Sequence, residues 1–159
     1  MRGIKGKNVL VTGASSGIGQ AIAIRFAAEG ANVAVNYYKG EEEADATIKM
    51  MREASTKAGI EPGTLKDITV QADVSKEDNV EVMFEKVIST FGGLDILINN
   101  AGMQIQGASH EIPMNSIDKM LDINMRGAFL CSRAASAHFL QNGGFVIVND
   151  SSIHELIPR

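Results

Sequence analysis

Asn8-Val9-Leu10-Val11-Thr12 is a short apolar run that stops at Gly13, after which Ile18, Ile22 and Phe26 recur at helical spacing. This pattern predicts a strand, a glycine turn and a helix. Gly30 ends that helix, because a residue without a Cβ enters the left-handed region freely, and Ala31 to Tyr37 follows as a second apolar strand. A helix over residues 41 to 58 carries Ala44, Ile48, Met51 and Ser55 on one face, and its acidic first turn suits the positive helix end. After a Pro62-Gly63 loop, Ile68 to Ala72 is a third strand. Val80, Met83, Phe84, Val87 and Phe91 stripe the next helix, which Gly92-Gly93 closes. Leu94 to Ile98 makes the fourth strand, and a loop runs to about Asn115. One long helix from near Ser116 has Ile117, Met120, Leu121, Asn124, Ala128, Cys131, Ala135 and Phe139 on one stripe, and Phe145 to Val148 is the fifth strand.

Strands this apolar need cover on both faces. Strands alternating with helices through right-handed crossovers then lie parallel in a doubly wound α/β sheet, with predicted order 3-2-1-4-5. A length of 159 residues fits a single domain, and 45% hydrophobic with 21% charged residues is ordinary for a compact soluble protein. The net charge of -4, with Lys and Arg scattered, gives no footprint for nucleic acid or an anionic membrane, so neither is an expected partner. Cys131 is the single cysteine, which excludes an internal disulfide. The segment from Met1 to Lys7 runs straight into a strand without a leader, and no span reaches membrane length; the expected location is the cytoplasm. His110 and His138 show no metal spacing, and no metal is expected.

The first turn, Thr12-Gly13-Ala14-Ser15-Ser16-Gly17-Ile18-Gly19, has G-x-x-x-G-x-G spacing between a strand and a helix. Gly13 and Gly17 let backbone approach a diphosphate, Gly19 lets the helix pack on the strand, and the helix start offers unpaired N–H groups to an anion. Ser15 and Ser16 either add hydroxyl donors or cap the helix. Asn99-Asn100-Ala101-Gly102 ends the fourth strand at the carboxyl edge, where parallel sheets bind ligands, although such sequences also end strands for conformational reasons. Asn124 breaks an apolar helix face, either as a satisfied core amide or as part of a polar relay. Asn149-Asp150-Ser151-Ser152-Ile153-His154-Glu155 follows the fifth strand at the same edge.

Together, Thr12 to Gly19, Asp73-Val74, Asn99 to Gly102, Asn124 within Asp122-Ile123-Asn124-Met125-Arg126-Gly127, and Ser151-Ser152 resemble the short-chain dehydrogenase/reductase family along the whole chain. The resemblance implies a Rossmann-type domain and hydride transfer between NAD(P) and an alcohol or carbonyl carbon. It assigns Ser152 to the substrate oxygen and Asn124 to a proton relay. Gly13, Ser15, Ser16, Gly17, Ile18, Gly19, Asn36, Tyr37, Lys39, Asp73, Val74, Asn100, Ala101 and Gly102 fall to the coenzyme, with Asp73 and Val74 at the adenine. The family's Tyr-x-x-x-Lys lies beyond Arg159, so residues 1–159 are expected to be the N-terminal portion of a longer domain, inactive alone, with an uncovered apolar edge. Tyr37 and Tyr38 are on the wrong strand to replace that tyrosine.

Asn36, Tyr37 and Tyr38 are neutral where an acid would favour NAD, Lys39 is the only nearby cation, and Ser16 stands where NADP-preferring relatives are often basic. The balance tips slightly to NADP. Asn36-Tyr37, Ser109-His110-Glu111, Gly127-Ala128-Phe129-Leu130 and Ser152 to Pro158 resemble the bacterial glucose 1-dehydrogenases, which implies glucose or a related sugar as substrate, with Gln104 and His154 at the pocket mouth. Reduction of a 3-oxoacyl thioester is an alternative, as is a non-catalytic nucleotide-binding or interaction fragment. A homotetramer is the family's implied full-length assembly.

Overall fold

The alternation of apolar runs and helical stripes is realised in a computed structural model that describes residues 3–108, 110–143 and 146–152. The order is β1 (Asn8–Val11), α1 (Gly17–Ala28), β2 (Asn32–Tyr37), α2 (Glu41–Lys57), β3 (Asp67–Gln71), α3 (Glu77–Phe91), β4 (Ile96–Asn99), α4 (Met114–Leu121), a π turn (Asp122–Gly127), α5 (Ala128–Asn142) and β5 (Val146–Asn149). The five strands form one sheet in the order β3-β2-β1-β4-β5, and every pairing is parallel. All five carboxyl ends therefore lie on one edge.

Strand alternation sends successive side chains to opposite faces, and each face has its own helices. Leu10, Ala34, Val70 and Leu97 pack with Val80, Met83, Phe84 and Val87 of α3 and Leu130, Cys131 and Ala135 of α5. Val9, Val11, Val33, Val35, Ile96 and Ile98 pack with Ala23 and Ala27 of α1 and Ala44, Ile48 and Met51 of α2. Each fully buried Val or Leu contributes about 1.5–3 kcal/mol, so these two layers hold the sheet. At the amino edge, Asn8 Nδ2 donates to the Gly93 carbonyl (3.0 Å), Asn32 Nδ2 to Asn8 Oδ1 (2.8 Å), and the Lys66 amide to Asn32 Oδ1 (2.8 Å). This polar lacing fixes register, and so aligns the carboxyl ends that carry the site.

Two expectations are corrected. The buried face of α1 is Gly19, Ala23 and Ala27, flanked by Ile22 and Phe26, which pack partly buried against the core, while Ile18 at the helix start is 65% exposed. The long final helix is broken, because six residues of π turn between α4 and α5 shift the stripe by one position. Asn124 sits in that turn and is exposed, so it is not a buried amide. No residue of α4 is buried. Phe129, Leu140, Val146 and Val148 are also exposed, leaving apolar surface along α5 and β5.

Candidate functional site

Thr12 follows β1 and is buried. Its hydroxyl donates to the Ile98 carbonyl (3.3 Å) and accepts the Asn100 and Ala101 amides (3.0 Å each). Asn100 Nδ2 donates back to the Thr12 (2.8 Å) and Gly13 (3.0 Å) carbonyls. The loops after β1 and β4 are thus one bonded unit, and the Asn100 carboxamide is used within it. Gly13 and Gly17 have φ of +62° and +59°, values that L side chains rarely adopt. A Cβ on Gly13 would sit 2.8 Å from the Ala101 Cα, whereas one on Gly17 would meet nothing within 4 Å. Gly17 is therefore required by conformation, and open space lies in front of it.

The first amides of α1 have no intrahelical acceptor, and the N-cap Ser16 makes no side-chain cap bond to them. Helix-end potential and free donors face the cavity, a fit for a diphosphate. The Ser15 carbonyl accepts from Gln20 Nε2 and Thr47 Oγ1 (both 3.2 Å), and Ser15 and Ser16 both line the cavity.

At the end of β2, Asn36 is 1% exposed. Its Oδ1 accepts the Gly13 amide (3.1 Å), and its Nδ2 donates to the Val70 and Ala72 carbonyls (both 3.2 Å). Asn36 therefore bolts the glycine turn to β3, with its Nδ2 used within the protein. The Tyr37 ring belongs to the core beside α2; burial raises its phenol pKa, with the charges of Glu41 and Asp45 adding to the effect. Tyr38 and Lys39 emerge from the strand end into the cavity. After β3, Asp73 Oδ1 accepts the Ser75 amide (3.0 Å) and hydroxyl (2.7 Å), forming a tight turn around Val74, which is buried at the cavity floor. A Cβ on Gly127 would lie 2.8 Å from Val74 Cγ2, so glycine lets the π turn close on this loop.

Asn124 Oδ1 accepts the Met103 amide (2.8 Å) and its Nδ2 donates to the Met103 carbonyl (2.9 Å), clipping the π turn to the loop after β4. Asn99 Nδ2 donates to Ser132 Oγ and Asn149 Oδ1 (both 2.9 Å), tying β4 to α5 and β5 just before Ser151-Ser152.

These elements enclose a cavity of about 1190 Å³ along the carboxyl edge. The expected residues that line it are Gly13, Ser15, Ser16, Ile18, Asn36, Tyr37, Lys39, Asp73, Val74, Asn100, Ala101, Gly102, Gln104, Asn124 and Ser152. Gly17 and Gly19 shape the turn without lining it; Gly19 instead packs against Asn100. His154 lies outside the described residues. Tyr38, Lys76, Asn115, Asp118, Lys119, Asp122 and Asp150 also line the cavity, so Lys39 is not the only nearby cation. Lys76 follows β3 much as Lys39 follows β2, a positional signal present in the sequence, whereas the α4 residues depend on tertiary packing. Among the described residues no cluster of His, Cys, Asp and Glu could hold a metal ion, and no helix is long and apolar enough to cross a membrane.

Residues 7–159 match the family described as short chain dehydrogenase. Over 156 residues the chain is 42% identical to 3beta-hydroxysteroid dehydrogenase 1 of Eggerthella lenta, covering 98% of this chain and 56% of that protein. It is 37% identical to glucose 1-dehydrogenase 2 of Bacillus subtilis, covering 98% and 58%. A short chain dehydrogenase from Burkholderia cenocepacia, solved in complex with NADP, superposes with a TM-score of 0.83 at 38% identity, covering 98% of this chain and 60% of that one. The chain thus spans little more than half the length of these relatives.

Proposed function

Because the chain belongs to the short-chain dehydrogenase family, we propose that it is the coenzyme-binding portion of an NAD(P)-dependent oxidoreductase acting on an alcohol or carbonyl carbon. One observation carries this reading. The glycine turn, the ends of β2 and β3, Asn124 and Ser152 converge on a single cavity of about 1190 Å³. The amides at the start of α1 would hold the diphosphate, Asp73 and Val74 the adenine, and Ile18, exposed at the helix start, offers an apolar contact. Bound there, a nicotinamide coenzyme supplies or accepts the hydride.

Ser152 donates a hydrogen bond to the substrate oxygen, which polarises the reacting carbon. Asn124 positions Met103 and the adjoining Gln104 at the substrate end. Proton transfer at the substrate oxygen falls to a group outside the described residues, because Tyr37 ends β2 and Tyr38 directly follows it. Three strand spacings separate β2 from β5, a distance of about 14 Å. The β2 end brings Lys39 and no carboxylate to the cavity, which favours NADP. The proposed substrate is glucose or a related sugar, supported by the local phrases shared with glucose 1-dehydrogenases and by the 37% identity to one of them.

Titrating the chain with NADPH and with NADH, following nicotinamide fluorescence, tests the coenzyme reading. A folded chain that binds neither overturns it. For the full-length protein, NADP reduction with glucose, set against a 3β-hydroxysteroid and 3-oxoacyl thioester reduction, tests the substrate. Turnover confined to either alternative rejects the sugar.

A further inference from the structure

We propose that Asn142-Gly143, at the end of α5, is a site of self-modification, where the Gly143 amide nitrogen displaces ammonia from the Asn142 side chain with His138 assisting. The site lies by the amino edge of the sheet and is independent of the coenzyme cavity. Of the ten asparagines, Asn142 alone precedes a glycine, so no side chain on the next residue hinders the approach of its backbone nitrogen to Cγ. Asn142 is the last residue of α5 and is exposed, and Gly143 leaves the helix with φ of 67° and ψ of 120°. Among the described residues nothing accepts the Gly143 amide, so that nitrogen is not held in the helical ladder.

The leaving nitrogen has a specific neighbour. His138, one turn earlier and half-buried, accepts the Leu94 amide at Nε2 (3.1 Å). A neutral imidazole that accepts at Nε2 carries its hydrogen on Nδ1, and Nδ1 lies 3.3 Å from Asn142 Nδ2. Asn142 Nδ2 also donates to the His138 carbonyl (3.0 Å), which keeps the amide nitrogen beside the ring. A planar amide nitrogen is a poor acceptor, so among the described residues the Nδ1 hydrogen meets none in the resting state. When the Gly143 nitrogen bonds to Cγ, that carbon turns tetrahedral, the side-chain nitrogen gains a lone pair, and the ring hydrogen finds its acceptor. A bond made only along the reaction lowers its barrier.

Water and hydroxide are the only co-reactants. Hydroxide takes the Gly143 amide proton, the N–Cγ bond forms, and water protonates the departing nitrogen, returning the hydroxide. The Cγ–Nδ2 bond then breaks to give ammonia and a succinimide. A second water opens either succinimide carbonyl, leaving aspartate or a β-linked isoaspartate. Both products put a carboxylate at the negative end of α5. The β-linked one also adds a backbone carbon ahead of β5 (Val146–Asn149), the strand that runs on to Ser151-Ser152.

The test incubates the chain at neutral pH, native and unfolded in guanidinium chloride, and follows every asparagine by peptide mass spectrometry, with isoaspartate scored by enzymatic methylation. Native chain is expected to convert at Asn142 ahead of every other asparagine, to give β-linked product, and to do so about tenfold faster than unfolded chain, the scale of one added hydrogen bond. His138→Met keeps a similar volume but has no donor. It is expected to lose that advantage of about tenfold in the native state and to match wild type in guanidinium chloride. Earlier conversion at another asparagine, or a product without the β linkage, overturns the site and its succinimide route. Native wild type converting no faster than unfolded overturns the assistance by His138, whether or not His138→Met folds. A folded His138→Met that converts as fast as native wild type overturns it equally.

Discussion

Replacing Gly19 by alanine tests the claim that the glycine turn is a packed, bonded device. The new Cβ would lie 2.4 Å from Asn100 Nδ2, 2.6 Å from the Gly13 carbonyl oxygen and 3.0 Å from Asn100 Cγ. Non-bonded carbon contacts are comfortable only near about 3.5–4.0 Å. Neither neighbour is free to yield, because Asn100 Nδ2 is donating to the Thr12 and Gly13 carbonyls. Either α1 shifts outward, at about 1–3 kcal/mol for an overpacked site, or the two hydrogen bonds break, at about 1 kcal/mol each. The gain in helix propensity, about 1 kcal/mol at most, offsets part of this, which leaves a net loss of about 1 kcal/mol. Gly17→Ala is the control. Its Cβ meets nothing within 4 Å, but its φ of +59° penalises an L side chain by about 1–2 kcal/mol. Urea unfolding followed by circular dichroism is expected to show a loss of about 1 kcal/mol for Gly19→Ala, from packing, and of about 1–2 kcal/mol for Gly17→Ala, from backbone conformation. A Gly19→Ala cost below about half a kcal/mol refutes the packing argument.

Asn36→Leu keeps the volume but strands the Gly13 amide and the Val70 and Ala72 carbonyls; a loss of about 2–4 kcal/mol is expected in the same urea assay, together with weaker NADPH binding. Asn124→Ala removes two bonds to Met103 from an exposed site, so stability should fall by less than about 1 kcal/mol while hydrogen exchange at the Met103 amide speeds up. Burial pushes the Cys131 thiol up to about 12. Its folded value exceeds that of an unfolded thiol, about 8.5, so the stability gained by keeping it neutral is whole below that pH and is lost as pH climbs toward 12. Thiol reagents at neutral pH should label it only on unfolding, and rapid labelling of native chain would contradict its burial.

Strand order was legible because short, mostly apolar runs alternate with helical stripes, and parallel pairing follows from that alternation. The place of Ile18 was not, since helical spacing groups it with Ile22 and Phe26, which do pack against the core, while Ile18 itself is exposed at the helix start. The π turn escaped for a similar reason: one inserted residue leaves each half-helix stripe intact and changes only their relative phase. At the site, Gly13, Gly17 and Ser152 could be picked out by their positions after strands. The use of Asn36 depends on carbonyls of β3, more than thirty positions away, and no local pattern reports such a partner. Tyr37 and Tyr38 are chemically alike in sequence, and only the point where β2 ends separates a core ring from an exposed one.

The burial of the strands divides the site into two mechanical parts. β1, β2 and β4 are almost wholly buried, and they carry Thr12, the glycine turn, Asn36 and Asn100, whose hydrogen bonds run between strands. β5 is exposed along most of its length, α4 buries nothing, and these elements carry Ser152 and lead into Asn124. Local opening free energy follows buried apolar contact, so the glycine turn, Asn36 and Asn100 stand on the firmest part of the described sheet. Perturbations at Gly19 or Asn36 are therefore expected to change the shape of the turn and, on the proposed reading, to weaken coenzyme affinity. Changes near Asn124 or Asn149 are expected to loosen the Met103 and Ser151-Ser152 loops and to leave that affinity largely as it was.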